Sequence, residues 1–154
     1  MKRLTFLLAL LLGLAAVAAE LPYNEAANAK AEIAQALADA AKASKPVLVI
    51  FGANWCEDCR ALDLALKSGK NAALMSEEFK VVKVDVGRFD RNLDIANAYG
   101  NPIKKGIPAA VIVASDNRVL YATRAGELAD ARSMNADGIY GFFRDAMAKA
   151  KASH

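Results

Sequence analysis

Cys56 and Cys59 stand two residues apart in the stretch FGANWCEDCRAL (51–62), and they are the chain's only cysteines. Thiols at this spacing can close a disulfide, and a thiolate at either position can attack one. As a staple the bridge is poor, because so small a loop removes little entropy from the unfolded chain. The spacing suits exchange better: one thiolate attacks a substrate disulfide and the other resolves the mixed disulfide. Two further uses stay open. The thiolates could hold Cu(I), which accepts soft ligands at low coordination number, or the disulfide could sit idle in a binding module. Only four methionines and one histidine, the terminal His154, are available, and none clusters near the cysteines. Structural zinc would lack its third and fourth ligands, so no metal is expected.

The elements that must carry this pair follow from periodicity. VLVIFG (47–52) is a continuous apolar, β-branched run and reads as a buried central strand. RALDLALKSG (60–69) repeats Leu62 and Leu66 at helical spacing and stops at Gly69, with NAALMSEEF (71–79) as a short helical extension. Cys56 then sits at a helix N-terminus, where free backbone N–H groups favour an anion, and Cys59 one turn later and deeper. Glu57 and Asp58 occupy the first turn. Acids there help start a helix. They also oppose a thiolate at Cys56 and push the pair toward a reductant, and Asp58 could relay a proton for Cys59.

Ahead of the strand, residues 20–24 are irregular and 25–44 form an Ala-rich helix with a stripe of Ala26, Ala29, Ile33, Leu37 and Ala40. Behind the cysteines come a strand (79–87), a helix (91–100), a loop through Pro108, a strand (109–114), a turn and a strand (119–124). Residues 125–138 lack a period, and Glu127, Arg132 and Met134 fall there. The last helix aligns Ile139, Phe142, Phe143, Ala146, Met147 and Ala150 on one face. Strand–helix–strand units imply parallel pairing, and the last two strands form an antiparallel hairpin. The expected fold is α/β, a mixed sheet of about four strands flanked by helices. Asp85, Asp90, Arg88 and Arg91 read as a turn with local ion pairs, Arg60 as a surface ion-pair partner, and Tyr99, Tyr121 and Tyr140 as core or rim residues.

The first residues, MKRLTFLLALLLGLAAVAAE, combine Lys2 and Arg3 with an apolar stretch and a small-residue end. This is the layout of a signal peptide, cleaved after Ala19 or, as second choice, Ala18. The apolar part, Leu4 to Ala19, is 16 residues long, short against the ~20 of a spanning helix. The division is therefore 1–19 signal peptide and 20–154 domain, with the domain exported to the periplasm, where disulfides persist. Losing Lys2 and Arg3 takes the basic count from 20 to 18 against 17 acids, a net charge of +1. That balance offers no electrostatic case for nucleic acid.

The residues VLVIFGANWCEDCRAL and the later AYG…KKGIPAAVIV resemble the thioredoxin superfamily, and more narrowly its exported bacterial members with a Trp-Cys-x-Asp-Cys-Arg motif, some of them disulfide isomerase-like. The resemblance implies a thioredoxin-like fold and a thiol–disulfide oxidoreductase, reductase or isomerase, with Cys56 forming the mixed disulfide and Cys59 resolving it. It implies a cis bond before Pro108, with Trp55, Ile107 and Pro108 meeting the substrate. No cofactor beyond the Cys56–Cys59 disulfide is implied. Partners would be disulfide-containing exported proteins and a membrane electron donor, and the default state is a monomer. Where thioredoxins proper carry a buried acid in the strand, this chain has Ile50. The loop 100–106 is longer than usual, and 125–137 resembles an insertion.

Overall fold

Strand β1 (Val47–Gly52) is buried along its whole length and lies second in a four-stranded sheet of order β2–β1–β3–β4. The computed structural model describes residues 20–153. The expected signal peptide (1–19) and His154 lie outside the described residues. Alternation along β1 divides the core into two layers. Val47, Val49 and Phe51 face α1 (Ala29–Ala43) and α4 (Leu93–Ala98). Leu48 and Ile50 face α2 (Glu57–Leu66), α3 (Gly69–Glu78) and α5 (Ala136–Ala152). The periodic residues of α5 do the covering, with Ile139, Phe143, Ala146, Met147 and Ala150 all buried. The mixed sheet between helices matches the fold class expected from the sequence.

Several boundaries move, each for a local reason. Helix α1 starts at Ala29, later than expected, because Asn28 accepts the Ala31 N–H at 3.1 Å and caps it. Helix α5 starts at Ala136, earlier than expected, where Asn135 accepts the Gly138 N–H at 2.7 Å. The sequence expected one helix with an extension after the cysteines. The structure has two, since α2 ends at Leu66 and Gly69, with φ +52°, opens α3. Strands β2 (Lys80–Asp85), β3 (Ala109–Val113) and β4 (Val119–Ala122) are each shorter than their apolar runs.

One expectation about topology is corrected. The first strand–helix–strand unit is parallel, pairing β1 with β2. The second is not, because β3 runs antiparallel to β1 and pairs on its other edge. The chain leaves α4 through Gly100 (φ +78°), makes a 3-10 turn at Pro102–Lys105 and passes Gly106 (φ +118°) before entering β3. This path allows the chain to change direction and join the far side of β1. β4 then pairs antiparallel with β3, as the hairpin requires.

Candidate active site

Sheet and helix meet at the end of β1. The chain turns through Ala53–Trp55, with the Cys56 N–H on the Ala53 carbonyl at 3.2 Å, and Cys56 becomes the N-cap of α2. Its Sγ accepts the Cys59 N–H at 3.1 Å. A side chain that accepts from a free N–H at a helix N-terminus is stabilised there as an anion. Helical spacing returns Cys59 to the same side, and the two form a disulfide with Cα atoms 5.2 Å apart. Both are buried, Cys59 at 1% exposure and Cys56 at 6%, so Cys59 is the deeper of the two.

The Ile107–Pro108 bond is cis, and the Ile107 carbonyl oxygen lies 3.7 Å from Cys56 Sγ. Trp55, 46% exposed, is fixed by its indole N–H on the Gly87 carbonyl at 2.8 Å. Phe89 meets its ring edge-on, and the Arg88 guanidinium lies over it at 5.6 Å. Trp55, Cys56, Phe89, Ile107, Ala129 and Arg132 line a shallow open groove across the disulfide. Such a groove can admit an extended peptide and bring its sulfur to Cys56.

Trp55, Ile107 and Pro108 thus gather around the cysteine pair. A thioredoxin-like family model matches residues 28–115. The chain belongs to the thioredoxin-like family. Its Cys-x-x-Cys is closed as the Cys56–Cys59 disulfide. Among solved structures it is similar to a disulphide isomerase from Xylella fastidiosa Temecula1, with 55% identity, a TM-score of 0.81, and coverage of 83% of this chain and 98% of that one. It shares a fold with the oxidised C-terminal domain of Neisseria meningitidis DsbD, at 20% identity and TM-score 0.55, covering 78% of this chain and 97% of that domain. It is also 30% identical over 64 residues to the thiol:disulfide interchange protein DsbD of Campylobacter jejuni strain RM1221. That match covers 39% of this chain and 11% of the relative, so the chain spans about a tenth of that protein.

The thioredoxin-like site holds contacts that sequence reasoning did not foresee. Glu57 pairs with Arg132, and Asp58 accepts the Arg132 backbone N–H at 3.0 Å. These contacts of the Asp58 carboxylate lead to Arg132 and not to Cys59. Arg60, expected to pair with an acid, instead donates to the Asn54 carbonyl at 2.8 Å and ties α2 to the turn before it. Behind the disulfide lies Tyr23, anchored by Asn54 through bonds of 2.9 and 2.8 Å to its backbone N–H and carbonyl. Burial, with help from Asp63 and Asp85, pushes the Tyr23 phenol far above its ordinary value, so it stays protonated.

Ile50 packs on the α2/α3/α5 side of the sheet. A buried acid does occur nearby: Asp63, on α2 one turn beyond Cys59, pairs with Lys83 of β2 and with Lys67 at 2.9 Å. Its position on an otherwise amphipathic helix gave little sign of burial. Arg91 and Asp85 pair at 3.2 Å in the expected turn. Among the described residues no group of three or more His, Cys, Asp or Glu is placed to hold a metal ion. No helix among them is long and apolar enough to cross a membrane.

Proposed function

We propose that the protein reduces or reshuffles disulfides of exported proteins in the periplasm, with Cys56 as nucleophile and Cys59 as resolving thiol. The observation that carries this is the placement of Cys56 Sγ at the N-terminus of α2, on the Cys59 N–H and facing the Ile107 carbonyl. In the reduced enzyme the Cys56 thiolate attacks one sulfur of a substrate disulfide. The Cys56–substrate bond forms, the substrate disulfide breaks, and the other substrate sulfur leaves as a thiolate that takes up a proton. Cys59, deprotonated, then attacks Cys56 Sγ. The enzyme disulfide forms, and the second substrate thiolate is released and protonated. Two electrons have passed to the substrate. In isomerisation, a substrate thiolate instead attacks the mixed disulfide and frees Cys56 with no net redox change.

Trp55 and the Ile107–Pro108 backbone bind the substrate chain next to Cys56, and Glu57 and Asp58 tune the potential. The similarity to a disulphide isomerase and the local match to a thiol:disulfide interchange protein support this reading. The signal-peptide layout of residues 1–19 supports export of the domain of residues 20–154. An exported reductase is cut off from cytosolic reductants, so re-reduction falls to a membrane electron donor. The disulfide is the only redox group this cycle needs.

Turnover of an insulin-like or scrambled substrate is the test. Cys56→Ser is expected to abolish it, and Cys59→Ser to accumulate mixed disulfides visible on non-reducing gels. The reduction potential, read from Trp55 fluorescence in glutathione buffers, is expected at roughly −270 to −220 mV. Full activity of Cys56→Ser would refute a reductase or isomerase built on Cys56, and a potential near roughly −120 mV would refute the reductase.

A further inference from the structure

Residues 125–134 carry no period in the sequence, yet they are seated firmly. Leu128 and Ala131 are buried in the α2/α3/α5 core. Ala129 approaches Gly106 so closely that a Cβ on that glycine would lie 3.1 Å from the Ala129 methyl. Arg124 donates to the Gly100 carbonyl at 3.0 Å, and Glu127 accepts the Arg124 and Ala125 N–H groups at 3.0 Å each. The segment is a strap that brings the 3-10 turn Ala131–Ser133 to the first turn of α2. There Arg132 meets both acids of the Cys-x-x-Cys. Its N–H binds Asp58 Oδ1 at 3.0 Å, its Nε lies 3.5 Å from the same oxygen, and its Nη1 pairs with Glu57.

We propose that Arg132 is a positioning residue for the redox pair, which holds the Glu57 and Asp58 carboxylates and offsets their repulsion of the Cys56 thiolate. This rests on the reading of Cys56 as the attacking thiolate and deepens the tuning role of the two acids. Both carboxylates lie within the first turn that Cys56 caps, and each disfavours negative charge on Sγ. A guanidinium in the same cluster acts in the opposite sense. It also fixes where the carboxylates point, so their field at Cys56 is set by the strap. Asp58 is only 15% exposed, against 58% for Arg132, so its share of the pairing is the less screened by salt. Arg132 also lines the groove across the disulfide. Anything that draws it away, including an acidic residue of an incoming peptide, changes the charge beside Cys56.

The experiment is the pH profile of Cys56 alkylation by iodoacetamide in the reduced protein, with the modified residue identified by mass spectrometry. Wild type, Arg132→Ala, Arg132→Lys and Glu57→Gln/Asp58→Asn are compared, with folding checked by far-UV circular dichroism. Arg132→Ala is expected to raise the thiolate midpoint, slowing alkylation below it by roughly fivefold at an intermediate dielectric. Arg132→Lys, which keeps the charge, is expected to recover most of that loss. The double variant is expected to react faster than wild type. Should Arg132→Ala fail to fold, Arg132→Gln takes its place.

Equal slowing in the Ala and Lys variants would mean that strap packing matters and charge does not, which overturns the proposal. So would an unmoved Arg132→Ala profile beside a faster double variant, although the acids would then keep their tuning role. If neither Arg132→Ala nor the double variant moves the profile, the tuning role of the acids falls with it. A Cys56 that fails to react in every protein would instead sink the catalytic reading beneath both.

Discussion

Gly52→Ala tests the packing behind the disulfide. Gly52 ends β1, and a Cβ built on it would run into the Tyr23 hydroxyl and lie 2.9 Å from Cys59 Sγ. Neither neighbour can yield freely. Cys59 is tied to Cys56 through the disulfide and to α2 through its backbone. Tyr23 is held by its two backbone hydrogen bonds to Asn54, and it is buried. Overpacking of a filled core costs about 1–3 kcal/mol. Alanine recovers about 0.5–1 kcal/mol of the chain entropy that glycine loses in a strand. With two constrained neighbours, the net cost should fall near 2 kcal/mol at the upper end of those bounds. For a domain of this size that lowers Tm by roughly 5–10 °C. Thermal unfolding of the oxidised protein, followed by far-UV circular dichroism, measures it. A double-mutant cycle with Tyr23→Ala locates the cause, because removing the ring should relieve at least ~1 kcal/mol of the alanine penalty. A Tm within about 2 °C of wild type would show that Tyr23 and Cys59 do not crowd this space, and strict additivity in the cycle would clear Tyr23.

Two further outcomes concern the strap. Leu128, fully buried in the α2/α3/α5 core, should cost roughly 3–5 kcal/mol when replaced by alanine; a loss below about 1 kcal/mol in urea titration would show that residues 125–134 are not docked. Glu127 gives a pH dependence. Partial burial pushes its carboxyl up, but the backbone N–H groups of Glu127, Ala125 and Arg124, with Lys149, prevail and hold it below its ordinary 4.5. A depressed folded pKa stabilises the protein above the unfolded value, and that contribution is lost as pH falls through the folded one. Wild type should therefore be more stable than Glu127→Gln at neutral pH, with the two Tm curves converging as pH falls through the folded pKa, below 4.5. Curves that run parallel across this range would remove the carboxylate from the strap's stability.

The chemistry and the central framework were legible because short-range patterns encode them. A short apolar run rich in β-branched residues favours a strand buried on both faces, and VLVIFG is one. Two thiols separated by two residues at the start of a helix must share a side, whatever surrounds them. The stripe in α5 likewise announced its buried face. Helix limits were less legible, since Asn28 and Asn135 act as caps only where the backbone reaches the right conformation, and Gly69 reads equally as the end of one helix or the start of the next.

What lay beyond the sequence were the features set by distant parts of the chain that no local motif marks. The antiparallel sense of β3 depends on the path through Gly100, Pro102 and Gly106, where a few backbone angles reverse a direction that the strand–helix–strand order alone implies. Tyr23 and Gly52 become neighbours of Cys59 only because Asn54 pins the leading segment against the end of β1. The two acids between the cysteines carry no mark of their partner. Arg132 stands 74 positions from Asp58, and it arrives there because Leu128 and Ala131 sink into the core and carry the next turn with them. Spacing along the chain determined which atoms could react. Burial at long range decided which charges stand beside them, because that depends on where hydrophobic anchors find a common core.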